Sequence, residues 1–273
     1  MVYKHFVLPF NRKNPKIRIA FFSDTHNGNI QFARKQFRAW INEYKGDKYT
    51  WFIGNGDLIE AIGPFDPRFT LDHIDPAHRG KAALIDLQIN DFCQEVEPIK
   101  SQILALGMGN HEYEIIRRHG SNPTERICEI LGATNLGYSS LSAISLRPEG
   151  QYGGSRLIKL YTHHGWGGGT RTLGGDMTKV SRKPSEFMAD IYVFGHSHQG
   201  WDHPRTRVDI TSTGKRFDRD YLMLNSGTFK KTLSETAIPS YEEKWGFPPQ
   251  QLGGRVVEIT VDTHKWVHMR TVD

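Results

Sequence analysis

Residues 17–26 read Ile-Arg-Ile-Ala-Phe-Phe-Ser-Asp-Thr-His, and the rest of the chain is best read outward from them. Ile17 to Ser23 is rich in β-branched and aromatic residues, the composition of a strand. Asp24 and His26 follow it two positions apart, a spacing at which an extended backbone would point both side chains to one side. The same arrangement, an apolar run that ends in polar residues able to bind metal, recurs down the chain. Thr50 to Gly54 leads into Gly54-Asn55-Gly56-Asp57, where glycines permit a tight turn that presents a carboxylate. Gln102 to Gly107 precedes Gly109-Asn110-His111-Glu112, and Ile191 to Phe194 precedes Gly195-His196-Ser197-His198. Between them, Arg156 to Thr162 runs into Tyr161-Thr162-His163-His164-Gly165.

Further strands are expected at Leu141 to Leu146, Tyr221 to Leu224 and Val256 to Val261, and helices at Phe32 to Tyr44, Lys81 to Val96 and Thr124 to Leu131. Helices alternate with strands early and strands dominate later, which predicts an α/β sandwich of two mixed sheets between helices. No repeat or linker divides the chain, so residues 1–273 are expected to form one domain with long loops at about 63–80, 165–184 and 230–254. Loops of that length in compact domains are often functional, which makes these three candidate walls of a substrate cleft.

The bulk properties narrow the class. Apolar residues make up 37% of the chain and aromatics 11%, enough for a core, so disorder is excluded. With only two cysteines, Cys93 and Cys128, disulfides are not the stabilising device. The first 16 residues contain Pro9 and Pro15 and show neither the apolar run of a signal peptide nor, with the rest of the chain, a membrane span. The expected location is cytoplasmic and no membrane partner is expected. A net charge of +5 and a pI near 9.1 suit a polyanion such as nucleic acid, or describe an ordinary basic surface.

Each fragment alone has a plain structural reading. Asp24 could cap a turn, Asn110 could sit in a left-handed turn, and Glu112 could start a helix and complement its dipole. Their joint occurrence at strand ends, where α/β sheets build ligand sites, points instead to a metal centre. The order D-x-H, G-D, G-N-H-E, H-G, G-H-x-H across Asp24 to His198 resembles the calcineurin-like metallophosphoesterase superfamily. That resemblance implies a four-layer α-β-β-α sandwich with two metals at the sheet edge. It implies Asp24, His26 and His198 on the first metal, Asp57 bridging, and Asn110, His164 and His196 on the second, with His111 as the catalytic histidine. His164, which directly precedes glycine, is chosen over His163. Glu60 stands where family members often carry Asp, and the resemblance gives it no ligand role.

The chemistry follows from the residue types as well. Hydrolysing a phosphate ester at neutral pH needs an activated water and a sink for charge on the phosphoryl oxygens. Two divalent ions about 3.5–4 Å apart provide both, with a hydroxide shared between them. A nitrogen and oxygen donor set suits Mn first, with Fe or Zn possible, better than Ca or Mg. No cysteine lies near, which excludes a thiolate zinc site. His111 is expected to protonate the leaving oxygen, with Asp24 as its candidate orienting group. Arg171, Trp166 and Arg182 of the glycine-rich loop are candidate substrate contacts, Trp166 by stacking a base; Arg205 and Arg207 have similar status. His73 and His78 are expected in a lid or on the surface. The leading expectation is a phosphodiesterase, a nuclease or a nucleotide-cleaving enzyme. The alternatives are a phosphomonoesterase such as a protein phosphatase, and a non-catalytic binding scaffold of the same fold.

Overall fold

The computed structural model describes residues 1–64, 66–150, 155–168, 172, 174–261 and 267–272. In chain order the strands are β1 (Val2–Phe10), β2 (Lys16–Phe22), β3 (Thr50–Asn55), β4 (Ile103–Gly107), β5 (Thr134–Gly137) and β6 (Ser139–Pro148). They continue with β7 (Arg156–His163), β8 (Ile191–Phe194), β9 (Trp201–Ile210), β10 (Arg216–Asn225), β11 (Arg255–Val261) and β12 (Val267–Val272). The helices are α1 (Arg34–Tyr44), α2 (Leu84–Val96), α3 (Asn110–His119) and α4 (Pro123–Leu131), with the shorter α5 (Gly175–Val180), α6 (Lys183–Glu186) and α7 (Tyr241–Lys244).

Two mixed sheets of six strands result, ordered β1-β6-β7-β8-β10-β9 and β12-β11-β2-β3-β4-β5. In the second sheet β2, β3, β4 and β5 run parallel, while β11 is antiparallel to β2. The period-two alternation of β2 shows how the layers meet. Ile17, Ile19 and Phe21 enter the core between the sheets, facing Leu8, Ile144, Leu160 and Val193 of the first sheet. Ala20 and Phe22 point the other way, into a core shared with Phe37 and Ile41 of α1 and with Ile89 and Phe92 of α2. A strand buried on both faces reads as the near-continuous apolar run that the sequence shows. The outer face of the first sheet is covered around Tyr161, Tyr192 and Phe194, with Val180 of α5 and Phe187 packed on them, so the fourth layer is thin.

Local signals set the helix ends. The Asn122 side chain accepts the Glu125 amide at 3.1 Å, Pro123 opens α4, and Gly132 ends it at φ 70°. The helix α3 was not expected as an element, yet Gly109-Asn110-His111-Glu112 is its N-terminus, and Arg117, Arg118 and His119 fill its last turn. The 165–184 and 230–254 stretches, expected as loops, contain α5, α6 and α7. Four strands escaped the reading: β1, β9, β12 and β5.

Placement of the site follows from strand direction. The carboxyl ends of β2, β3 and β4 come together with those of β7 and β8 in the facing sheet, which run parallel to each other. Asn55 Nδ2 donates to the His163 carbonyl at 3.2 Å and ties the two edges together. Among the described residues no helix is long and apolar enough to cross a membrane.

Phe21 is fully buried between the sheets, so Phe21→Ala is expected to cost about 3–5 kcal/mol. Val208→Ala, on the exposed face of β9, is expected to stay within about 0.5 kcal/mol. Urea unfolding followed by circular dichroism checks both; similar losses at the two positions would contradict the two-sheet core.

Candidate metal centre

The side chains gathered at this edge hang from an unusual backbone. Asp24, His26, Asp57, His196 and His198 have φ between 46° and 71°, the left-handed region that non-glycine residues avoid. Such conformations cost about 1–3 kcal/mol each and persist only where the surroundings enforce them. Here Asp24 N donates to Gly56 O at 3.0 Å, His26 N to Asp57 O at 3.1 Å and Phe229 N to Asp24 O at 3.1 Å. The expectation that an extended backbone aligns Asp24 with His26 is therefore corrected: β2 ends at Phe22, and the two residues converge through left-handed turns. Gly109 is required by contact rather than by φ. A Cβ there would stand 2.0 Å from Asp57 Oδ1 and 2.3 Å from its amide nitrogen.

Among the described residues, three groups able to hold a metal result, one of them His26, Glu60 and His111; the other two match the expected ligands. Asp24, His26 and His198 place one donor atom each within 4.8 Å of one another, and so do Asp57, His164 and His196. His198 Nε2 is 3.3 Å from Asp24 Oδ1 and 3.2 Å from His26 Nε2. His164 Nε2 is 3.2 Å from both Asp57 Oδ2 and Asn110 Oδ1, and His196 Nδ1 is 2.7 Å from the same Asn110 oxygen. Asp57 Oδ2 is also 3.9 Å from His26 Nε2, so this carboxylate lies between the groups. All seven expected ligands are brought together. His163 is not: it stacks on Tyr161 and meets Trp166 edge-on.

The hydrogen bonds behind the rings decide what faces the centre. His26 Nδ1 donates to Glu60 Oε2 at 3.0 Å, and His164 Nδ1 to the Asn55 carbonyl at 2.8 Å. Each neutral ring then turns an Nε2 lone pair inward, toward carboxylate and amide oxygens that are also acceptors. Buried acceptors facing acceptors repel unless cations or protons lie among them. Asp24 Oδ1 is fully buried and meets no closer donor than His198 Nε2, at 3.3 Å, which leaves it able to coordinate a cation. In the metal-free protein the imbalance appears as protonation. Burial disfavours charge on His164, but Asp57 outweighs it and raises the ring to about 10. Burial also works against the Asp24 carboxylate, yet the His198 hydrogen bond and charge bring it down to about 2. His26 is pushed the other way, to about 4, by burial and by the positive charge of Lys230. The residues present therefore fit two cations.

Several supporting residues were not expected. Glu60 is no bystander: its carboxylate orients His26, and its backbone carbonyl accepts from His111 Nδ1. The second contact corrects the expectation that Asp24 orients His111, because Asp24 bonds Ser23 and the His196 amide instead. Arg68 is clamped by Asp66, with Nε 3.0 Å from Oδ1 and Nη2 2.8 Å from Oδ2, and its Nη1 lies 3.4 Å from His111 Nε2. Lys230 and Glu242 form a 2.8 Å ion pair, which holds the carboxyl at about 2 against the effect of burial. The contacts of Glu60 with His26 and His111, and of Arg68 with His111, join segments distant in sequence, and spacing gives no signal for them.

A cavity of about 250 Å³ opens over the centre, lined by His26, Asp57, Asn110, His111, His196 and His198 and, opposite, by Arg68, Lys230 and Glu242. Of the substrate contacts expected in the glycine-rich loop, Trp166 and Arg182 do not line it. Arg171 lies outside the described residues. Trp166 carries the Lys183 ammonium 5.2 Å over its ring, and Arg182 sits at the start of α6. Arg207 stacks 4.2 Å over Tyr221 and bonds the Ala189 and Pro184 carbonyls, a packing role, and Arg205 contacts His203. His73 does line the cavity, whereas His78 is buried, 3.7 Å from Asp91.

Comparison with known proteins agrees with this site. The family model for calcineurin-like phosphoesterases matches residues 17–200. No curated protein sequence matches the chain. Similar solved structures include a predicted phosphoesterase from Streptococcus pneumoniae, with 12% identity, TM-score 0.35, and 94% of this chain and 98% of that one covered. Vps29 from Entamoeba histolytica, complexed with zinc, gives 10%, 0.36, 94% and 99%. The NAD nucleotidase of Haemophilus influenzae gives 9%, 0.41, 94% and 49%.

His164 faces the cluster and its neighbour does not, so His164→Ala is expected to lose at least one equivalent of bound manganese while His163→Ala retains both. Asp57→Asn, between the groups, should lose the most. Metal content by atomic emission after gel filtration measures this. Full metal loading of His164→Ala would show that the ring is not a ligand.

Proposed function

Because the chain belongs to the calcineurin-like phosphoesterase family, we propose that it is a dinuclear metal-dependent phosphodiesterase acting on nucleic acid or a nucleotide. The observation that carries this reading is the set of converging donor atoms, buried or partly buried: Asp24, His26 and His198 on one side, Asn110, His164 and His196 on the other, with Asp57 between. The first three would hold one divalent ion, the second three another, and Asp57 both; manganese is the first choice, iron or zinc the alternatives. Bound, the ions would neutralise the phosphoryl oxygens and acidify an attacking water. A binding scaffold has no need to keep such a strained and mutually repulsive set. Residues 1–273 are taken as one unit of this activity.

The protein's own residues do the remainder. Asp57 is fixed by the His111 amide, which donates to its Oδ1 at 2.9 Å, so the bridging carboxylate and the catalytic histidine move as one body. With Nδ1 committed to the Glu60 carbonyl, His111 presents only Nε2 to the cavity. From there the ring would deliver a proton to the leaving alkoxide. Arg68, 3.4 Å away and held by Asp66, would hold a phosphoryl oxygen. The enclosed position of His111, 7% exposed, keeps bulk water from competing for that proton.

A proton donor matters most where the leaving oxygen is a poor one. His111→Ala is expected to keep both metals and to cleave bis(p-nitrophenyl) phosphate appreciably, but to lose about 10²–10⁴-fold on diesters with sugar alkoxide leaving groups. Steady-state kinetics on the two substrate types reads this. Equal losses on both would assign His111 to electrostatic stabilisation. Brisk wild-type turnover of phosphomonoesters with none of diesters would overturn the diesterase reading.

A further inference from the structure

The cavity over the metal cluster has a wall that the family match does not reach. Residues 230–250 lie beyond residue 200 and return to the site, where Lys230, Tyr241, Glu242 and Phe247 line the same space as His26 and Asp57. This strap is built rather than loose. Ser240 Oγ donates to the Thr232 carbonyl, Gln250 N donates to Thr232 Oγ1 at 3.1 Å, and Ser234 N donates to Glu243 Oε2 at 3.1 Å. His73, from the 63–80 loop, lies 3.4 Å from the Pro239 carbonyl and ties strap to loop.

The charge on this wall decides what it can accept. A polynucleotide brings one negative charge per residue, and its binding sites track the backbone with successive cations. Here Lys230 is 7% exposed and already paired with Glu242, so the wall contributes no net positive charge and adds a carboxylate. Among the described residues, two of the lysines that gave the sequence its nucleic-acid character lie elsewhere: Lys179 pairs with Asp176 at 3.4 Å and Lys183 with Glu186 at 2.6 Å, and neither lines the cavity. Arg68 beside His111 suits a single phosphate. The strap offers instead a Tyr241 ring, 45% exposed, and Phe247, with the neutral amides of Asn29 and Gln31 nearby on the lining. Aromatic faces with a few amides are the lining of a pocket for a neutral, flat, hydrogen-bonding group.

We propose that the site holds one phosphate at a time, and that its ligand is a mononucleotide-sized ester whose nucleoside lies along Tyr241 and Phe247, not a polynucleotide running past the metals. This deepens, and rests on, the phosphodiesterase reading. Calorimetric titration of the manganese-loaded protein with inorganic phosphate, thymidine 5′-monophosphate and a thymidine pentanucleotide tests it. The monophosphate is expected to bind at least about tenfold tighter than inorganic phosphate, the scale of one base–aromatic contact, and Tyr241→Ala to remove most of that advantage. The pentanucleotide is expected within about threefold of the monophosphate, with a salt slope near −0.7, one phosphate contact. A pentanucleotide bound more than about tenfold tighter with a slope of several contacts would overturn the proposal in favour of a polymer groove. A monophosphate no tighter than inorganic phosphate, or an advantage that survives in Tyr241→Ala, would overturn it equally. Failure to turn over any diester sinks the diesterase reading alone, because these affinities are read without turnover.

Discussion

Glu112 holds the site together. Its buried carboxylate accepts the amides of Asp57 at 3.1 Å, Leu58 at 2.6 Å, Ile59 at 3.1 Å and Gly109 at 2.8 Å. Those four donors belong to two loops, one after β3 and one at the head of α3. The latch fixes where Asp57 points and where α3 begins, and hence where Asn110 and His111 sit. Burial and the neighbouring Asp57 charge push the Glu112 carboxyl up, while the Ile59 and Gly109 amides counter them. A carboxylate with this many backbone donors cannot be replaced by a neutral side chain without leaving buried N–H groups unpaired, at about 1–3 kcal/mol each. Gly56 and Gly109 let the two loops approach closely enough for the latch to form, since a Cβ on Gly56 would stand 2.5 Å from the Gly109 nitrogen.

This latch explains why the site tolerates strained backbone and opposed acceptors. Left-handed residues at Asp24, His26, Asp57, His196 and His198 concentrate strain at the ends of buried strands. The cores on both faces of β2 and β3, from Phe21 and Ile53 on one side and Phe22 and Phe52 on the other, supply the compensating stability. Cations bound at the site would convert repulsion among its lone pairs into attraction, which would link metal binding to local order.

What the sequence revealed follows from the same division. Central strands such as β2, β3, β4 and β8 are buried on both faces and appear as apolar runs, and the metal-type residues stand directly at their ends. The four strands that went unread, β1, β5, β9 and β12, are the four sheet edges. An edge strand is partly solvated, so its apolar pattern is diluted: β9 shows mostly exposed residues, including Val208 and Ile210. Pro9 in β1 and Pro204 in β9 are tolerated because an edge strand has a side on which a missing N–H costs nothing. The left-handed turns were invisible for a different reason. Asp and His carry no local mark of positive φ, and only the surrounding hydrogen bonds impose it.

Composition does not report which charges face a cavity, and of the expected substrate contacts Trp166 and Arg182 do not line this one. The glycine-rich stretch from Gly165 to Pro184 carries lysine and arginine next to a metal ligand, which looks like a phosphate grip. Its described cations nevertheless turn to local partners such as Asp176 and Glu186. The wall that does face the centre comes from a proline-bearing segment some 30 residues beyond the last ligand motif, and its one lysine is neutralised there. Lys230 also reaches the centre electrostatically. Its charge, 170 residues from Glu60 in sequence, helps keep that carboxyl ionised, and an ionised Glu60 accepts from His26 Nδ1 and leaves Nε2 facing the cluster. The strap is therefore coupled to the ligand set through Lys230 and Glu60. A change in the strap would reach the metal centre through this pair of charges, even where it touches no ligand.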